Sequence, residues 1–253
     1  MKIGIFDSGA GMTVLKAIKE AYPKVDVVYL GDTARVPYGI RSRETIIRYS
    51  RECANFLKDK GVELLVVACN TASAYALEDL RREFPFPVFG VIEPGVKEAL
   101  RKTKDKKIGV IGTQATIKSG IYQEMLEREG AEVYAKACPL FVPLVEEGLV
   151  EGEITRKVIE YYLKDFKGNV DTLILGCTHY PLLKKEIENF LENVEVVDSS
   201  RAIASSLKDF VRNEGRGELE LYFTDRSQNL EKLINLILGE EAEVSITSEV
   251  FTL

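Results

Sequence analysis

Two cysteines stand where a proton could be taken from one face of a small molecule and returned from the other. Cys69 closes the apolar run Leu64-Leu65-Val66-Val67-Ala68, and Cys177 closes Leu173-Ile174-Leu175-Gly176. Thr71 and Thr178 follow closely, and a helix-like pattern begins after each. A thiolate is a base and a thiol is an acid, so a facing pair suits proton exchange at a carbon centre. Each thiol is expected beside a helix N-terminus, with Asn70 or Thr71 as N-cap of a helix over 72–83 and Pro181 in the first turn of a second. The positive end of a helix lowers a thiol pKa and attracts a carboxylate, so this placement predicts reactive thiols beside an anion site.

The two segments belong to a longer repeat. Lys2-Ile3-Gly4-Ile5 is echoed at nearly the same offset by Lys107-Ile108-Gly109-Val110, and Pro87 to Val91 more weakly by Val194 to Val197. Short apolar runs alternate with amphipathic stretches, the pattern of parallel strands joined by crossover helices. Strands are expected over 2–6, 25–30, 63–68, 87–92, 107–112, 131–137, 171–176 and 194–197. Helices are expected over 12–21, 43–60, 72–83, 94–102, 117–129, 154–166, 181–191, 200–213 and 228–238. The fold class is α/β: two pseudo-symmetric α/β domains with mainly parallel sheets and the active site in the cleft between them. Seams near Pro94-Gly95 and Ser199-Ser200 give one domain from 1–95 plus 208–253, carrying Cys69, and a second from 96–207, carrying Cys177.

The chain has 253 residues, 45% hydrophobic and 29% charged, with a formal net charge of −6. That balance is ordinary for a globular protein and argues against sequence-independent nucleic-acid binding, which needs a cationic surface. The locally basic stretch Arg101 to Lys107 reads as a solvated connector. No apolar run has membrane-spanning length, and Met1-Lys2-Ile3 enters a strand pattern directly, so no signal peptide is expected and a cytoplasmic location is the default. Four cysteines without Cys-x-x-Cys spacing and a single histidine leave no recognisable metal site or disulfide framework. Cys53 falls on the helical stripe Ile46, Tyr49, Cys53 and Phe56 or Leu57, and Cys138 precedes Pro139 on a strand-like run; both read as structural.

Other segments carry polar residues at strand ends. Asp7-Ser8-Gly9-Ala10-Gly11 follows the first strand, where glycines let backbone approach a ligand and Asp7 would point into the cleft. It is a poor dinucleotide fingerprint: Val14 replaces the third glycine, and Asp7 would repel a pyrophosphate. Asp32 to Gly39 reads as a turn, or as a polar pocket lined by Tyr38 and its backbone neighbours. Glu146-Glu147 reads as a solvated helix edge, or as a carboxylate turned toward Cys177. His179 is either a structural hydrogen-bonding residue or a partner of the nearby thiol.

Together these residues resemble the cofactor-independent glutamate racemases of the aspartate/glutamate racemase superfamily. The matching segments are Asp7-Ser8-Gly9, Gly31 to Gly39, Cys69-Asn70-Thr71-Ala72-Ser73, Phe89 to Gly95, Ile111-Gly112-Thr113 with Ala115-Thr116, Cys138 to Leu144, Gly176 to Pro181 and Val197-Asp198-Ser199. The resemblance implies interconversion of L- and D-glutamate without cofactor or metal, supply of D-glutamate for peptidoglycan, and a homodimer. It implies that Cys69 takes the α-proton of D-glutamate and Cys177 that of L-glutamate, with Asp7 assisting Cys69, and Glu146 and His179 assisting Cys177. Asp7, Ser8, Pro37, Tyr38, Gly39, Asn70, Thr71, Thr116, Thr178 and His179 match positions that hold the substrate.

One loop departs from the family pattern Asp-Ser-Gly-x-Gly-Gly-Leu-Thr-Val. Here Asp7-Ser8-Gly9-Ala10-Gly11-Met12-Thr13-Val14 is one residue shorter and lacks a glycine, which sets the expectation of a displaced Asp7 and Ser8 and weakened catalysis. Rival readings are racemisation of aspartate and a binding role with little catalysis. DNA gyrase is the partner such a role suggests, as some family members bind it through extra N-terminal sequence. This chain meets its first strand at once, which counts against that role.

Overall fold

The repeat in the sequence becomes a repeat in strand order. The computed structural model describes residues 1–9, 12–226, 229–239 and 243–252; the shortened-loop residues Ala10 and Gly11 lie outside them. The first half alternates β1 (Lys2–Asp7), α1 (Thr13–Ala21), β2 (Asp26–Gly31), α2 (Arg43–Asp59), β3 (Leu64–Val67), α3 (Asn70–Glu83), β4 (Val88–Gly90) and α4 (Ile92–Lys102). The second runs β5 (Lys107–Gly112), α5 (Gln114–Ser119), α6 (Ile121–Arg128), β6 (Glu132–Ala137), α7 (Phe141–Glu146), α8 (Glu153–Leu163), β7 (Thr172–Gly176), α9 (Lys184–Leu191), β8 (Glu195–Asp198) and α10 (Ser199–Ser206). After it come β9 (Leu219–Phe223), α11 (Leu230–Leu238) and β10 (Val244–Ile246).

The six-stranded sheet has the order β10-β9-β2-β1-β3-β4, and the four-stranded sheet β6-β5-β7-β8. The order β2-β1-β3-β4 therefore repeats as β6-β5-β7-β8, with β1 equivalent to β5 and β3 to β7. Every pairing is parallel, with Phe6 opposite Val67 in one sheet and Gly112 opposite Gly176 in the other. Parallel pairing puts all carboxyl ends of a sheet on one edge, where ligands bind in α/β folds. Cys69 and Cys177 both lie there, just past the equivalent strands β3 and β7.

Side-chain alternation assigns the layers. Ile3, Ile5, Leu64 and Val66 face one cluster, which continues under the second sheet through Leu173 and Leu175. Phe6, Leu65 and Val67 face the other way, against α2 and α3 residues such as Cys53, Leu57, Ala72 and Leu80. In the second half Ile108, Val110 and Ile174 pack on α4 and α6 through Ile92, Val96, Tyr122 and Leu126. All four residues of β3 are buried, which is why its sequence runs apolar without alternation. Among the described residues no helix is long and apolar enough to cross a membrane.

Several sequence expectations are corrected. The helix expected over 117–129 is two helices, because Gly120 takes a left-handed conformation at φ 71° and turns the chain between α5 and α6. The stretch over 200–213 is helical only to Ser206. Helix α3 begins at Asn70, so Cys69 is its N-cap, in place of Asn70 or Thr71. Pro181 lies in a 3₁₀ turn, Tyr180–Leu183, that precedes α9. Pro94 and Gly95 lie in the first turn of α4, whose later residues Val96 and Ala99 pack with the second half. Strands β9 and β10 and the one-and-a-half-turn helices α5 and α7 were not expected as separate elements.

Candidate active site

Two edges meet at the site, one from each sheet. From the first come Ser8 after β1, the segment Val36 to Gly39 after β2, and Cys69, Asn70 and Thr71 after β3. From the second come Thr113 after β5, Val142 of α7, and Gly176, Cys177, Thr178 and His179 at the end of β7. They enclose a cavity of about 20 Å³, on the order of the space for one water molecule. A larger apolar depression adjoins it, sharing Val36, Pro37, Gly39, Thr113 and Val142.

The Cys69 side is polar and tightly bonded. Cys69 Sγ donates to Ser8 Oγ at 3.3 Å. Asp7 is fully buried beneath the cavity and does not line it; its carboxylate accepts from Thr178 Oγ1 at 3.1 and 3.3 Å and from the Gly9 amide at 3.3 Å. Burial first, and then the Asp7 charge, push the Cys69 thiol up to about 12, against smaller lowering by Ser8 and a backbone amide. This corrects the expectation of a thiol made acidic by the helix: desolvation and a neighbouring carboxylate outweigh the helix end. Cys69 is held as a thiol.

The Cys177 side is built differently. His179, 3% exposed, places Nδ1 3.8 Å from Cys177 Sγ and Nε2 2.6 Å from Glu146 Oε1. Burial alone would lower its pKa. The bonds to Cys177 and Glu146, with their charges, outweigh that and raise it well above 6.5. The imidazolium donates to Glu146 and offers Cys177 a charged donor. Glu146 ends α7, half-buried, so the glutamate pair divides: Glu146 turns inward and Glu147 is exposed.

The remaining polar residues tie the halves together. Thr71 Oγ1 lies 2.9 Å from Thr113 Oγ1 and 3.0 Å from Thr116 Oγ1, and Thr113 reaches Thr116 at 3.0 Å. Thr116 therefore stands behind the cavity wall, while Thr113, the N-cap of α5, lines it. Pro37, Tyr38 and Gly39 line the cavity, but the Tyr38 hydroxyl is committed to Asp32 on the far side. Asp32, fully buried, also accepts from Arg35 Nε at 2.7 Å and from Thr224 at 2.9 Å, so one carboxylate gathers three side chains behind the turn after β2. Cys53 lies in this network, 3.8 Å from both Arg35 and Tyr38, and Cys138 is buried in the core. Asp32, Thr113, Val142 and Tyr122 were not expected as site or support residues. Thr113 carried a signal, as the N-cap-type residue at the end of a strand equivalent to the one bearing Asp7.

Two thiols on one cavity, from equivalent strands of opposite sheets, match what comparison with other proteins finds. The Asp/Glu/Hydantoin racemase family matches residues 3–207. The chain belongs to that family. It is 84% identical to a glutamate racemase of Aquifex aeolicus over 100% of both chains. Its fold superposes with a TM-score of 0.87 on the glutamate racemase of Aquifex pyrophilus, 71% identical, covering 97% of this chain and 98% of the other. It superposes with a TM-score of 0.89 on a glutamate racemase of Francisella tularensis solved with D-glutamate, 35% identical, covering 98% and 97%. The chain is an amino-acid racemase, an isomerase, and glutamate racemases are its near relatives.

Proposed function

We propose that this chain interconverts L- and D-glutamate by taking the α-proton with one thiol and returning a proton from the other. The observation that carries this reading is the placement of Cys69 and Cys177 on one cavity from opposite sheets. Their different settings give each a starting role. Cys69, kept protonated by burial and Asp7, is the acid; Cys177, facing the His179 imidazolium, is the base. In that state Cys177 removes the α-proton of L-glutamate and Cys69 protonates the opposite face, giving D-glutamate. Afterwards the protonation states are exchanged, and the same site is ready for the reverse reaction.

The proposed reaction uses no cofactor, so the charge of the carbanion-like transition state must be met by the protein's own groups. The amide donors at the head of α3 and the hydroxyls of Ser8, Thr71 and Thr113 supply oriented dipoles for the substrate carboxylates, while Thr178, its proton given to Asp7, can accept from the substrate ammonium. Asp7, Ser8, Pro37 to Gly39, Asn70, Thr71, Thr116, Thr178 and His179 are proposed to bind or support the substrate. A 20 Å³ cavity does not admit glutamate, so the halves part for entry and close around it, which excludes water. The two moving units are 1–95 with 208–253, and 96–207. A cytoplasmic homodimer that supplies D-glutamate for peptidoglycan completes the proposal.

The test is incubation with L-glutamate in D₂O, following optical rotation and α-deuterium together. Loss of rotation matched by deuterium incorporation is expected, and Cys69→Ala or Cys177→Ala abolishes racemisation. Unchanged turnover by either variant would overturn the two-thiol mechanism; aspartate turned over in preference to glutamate would overturn the substrate.

A further inference from the structure

Tyr122 of α6 belongs to the second half and is wholly buried, yet its hydroxyl donates to Asn70 Oδ1 of the first half at 2.6 Å. Its ring is seated beside the other thiol: a Cβ at Gly176, the residue before Cys177, would meet Tyr122 Cε2 at 3.3 Å. One side chain thus touches the residue before Cys177 and the residue after Cys69. Asn70 lines the cavity, is 2% exposed, and its Nδ2 has no hydrogen-bond partner among the described residues. A buried amide nitrogen left unpaired is uncommon and needs a reason.

We infer that Tyr122 is a positioning residue for substrate: by occupying Asn70 Oδ1 it turns the amide so that Nδ2 donates to a carboxylate of the bound acidic amino acid. This rests on the glutamate reading above. The polarity matters because a primary amide presents an acceptor at one end and two donors at the other. With the amide reversed, Oδ1 would face the carboxylate and two acceptors would be opposed. Burial, and then the Cys177 charge, raise the Tyr122 pKa, so the phenol remains a donor throughout the cycle. Since the bond crosses between the halves, Asn70 is oriented only when the site is closed, which couples closure to carboxylate capture.

The experiment is Tyr122→Phe, which keeps the ring and removes the hydroxyl, with steady-state racemisation measured in both directions and Tm alongside. The expected result is a KM for glutamate raised about tenfold, with kcat changed by less than about threefold, the pattern of a lost binding interaction. A merely structural role would lower Tm and the active fraction, hence kcat, and leave KM unchanged; that result would overturn the inference. As a second variant, Tyr122→Phe combined with Asn70→Ala should match Asn70→Ala alone in KM, whereas additive effects would overturn it. If the unaltered protein fails to racemise glutamate, the function falls and this inference with it. If the unaltered protein turns over and Tyr122→Phe keeps its KM, only the inference falls.

Discussion

Glu146 and His179 form a pair across α7 and the end of β7, with Oε1 2.6 Å from Nε2, and this pair sets what Cys177 faces. The imidazole has two nitrogens, and once Glu146 takes one, the other is left for the sulfur. Among the described residues Cys69 has no such cation; its neighbours include a serine hydroxyl and the Asp7 carboxylate. The pseudo-symmetry of the backbone is thus broken in the side chains, and a reaction that needs one acid and one base needs that break.

Replacing Glu146 by Gln removes the charge and weakens the charge-assisted bond that both raise the His179 pKa, so that pKa falls. The imidazolium is then lost at lower pH, and the basic limb of the pH–rate profile moves down. We expect kcat/KM to fall roughly 10²-fold, within the usual reach of acid–base assistance. Because the enantiomers are equal in free energy, the fall must be the same in both directions, however differently kcat and KM respond. Coupled assays from L- and from D-glutamate over a pH series check this, and an unmoved basic limb would count against the pair.

A second expectation concerns the contact between the halves. A Cβ at Gly39 would meet Thr113 Cγ2 at 2.8 Å and Oγ1 at 2.9 Å, closer than real Cβ atoms come. Overpacking in a core typically costs about 1–3 kcal/mol. Here the clashing residues lie on opposite walls of the cavity, so Gly39→Ala can be relieved by holding the site ajar. Tm should therefore fall by only a few degrees while KM for both enantiomers rises tenfold or more. An alanine variant with unaltered KM would show that Gly39 and Thr113 need not approach during turnover.

The strand repeat was legible because β1, β3, β5 and β7 are buried on both faces, and an apolar run needs no partner to be recognised. β9 and β10 were missed for a related reason. Leu219–Phe223 is only partly buried, and Val244–Ile246 is short, so neither carries a continuous apolar signal. Gly120 sits within an amphipathic pattern that continues past it, and a left-handed turn there leaves little trace in periodicity. At the site, the residue types and their strand-end positions could be read, and the inward turn of Glu146 was left open. The state of Cys69 could not be read. The helix end is local and visible in sequence; the burial and the Asp7 charge that outweigh it come from β1, far away in the chain. Tyr122 was invisible for the same reason, since its hydroxyl acts on a residue of the opposite half.

The buried cysteines also fix how stability changes with alkali. Burial pushes Cys69 and Cys138 up to about 12 from an ordinary value near 9. Burial, with the Asp32 charge, pushes Cys53 well above it too. In the unfolded chain these thiols ionise near pH 9, whereas in the fold they keep their protons. Above that pH the folded state binds more protons than the unfolded state, so stability falls as pH rises. The contribution is complete below pH 9 and is lost across the window from about 9 to about 12 for Cys69 and Cys138. Each such thiol can contribute up to about 1.4 kcal/mol per pH unit within it. Cys138 is the one to remove, because it lies in the core and not on the cavity. Cys138→Ala should lower Tm at neutral pH through the lost packing, yet its Tm should fall less steeply than that of the unaltered chain between pH 9 and 11. The buried tyrosines titrate in both proteins and cancel in the comparison. Parallel Tm–pH curves would mean that Cys138 reaches solvent and ionises as freely in the fold as in the open chain.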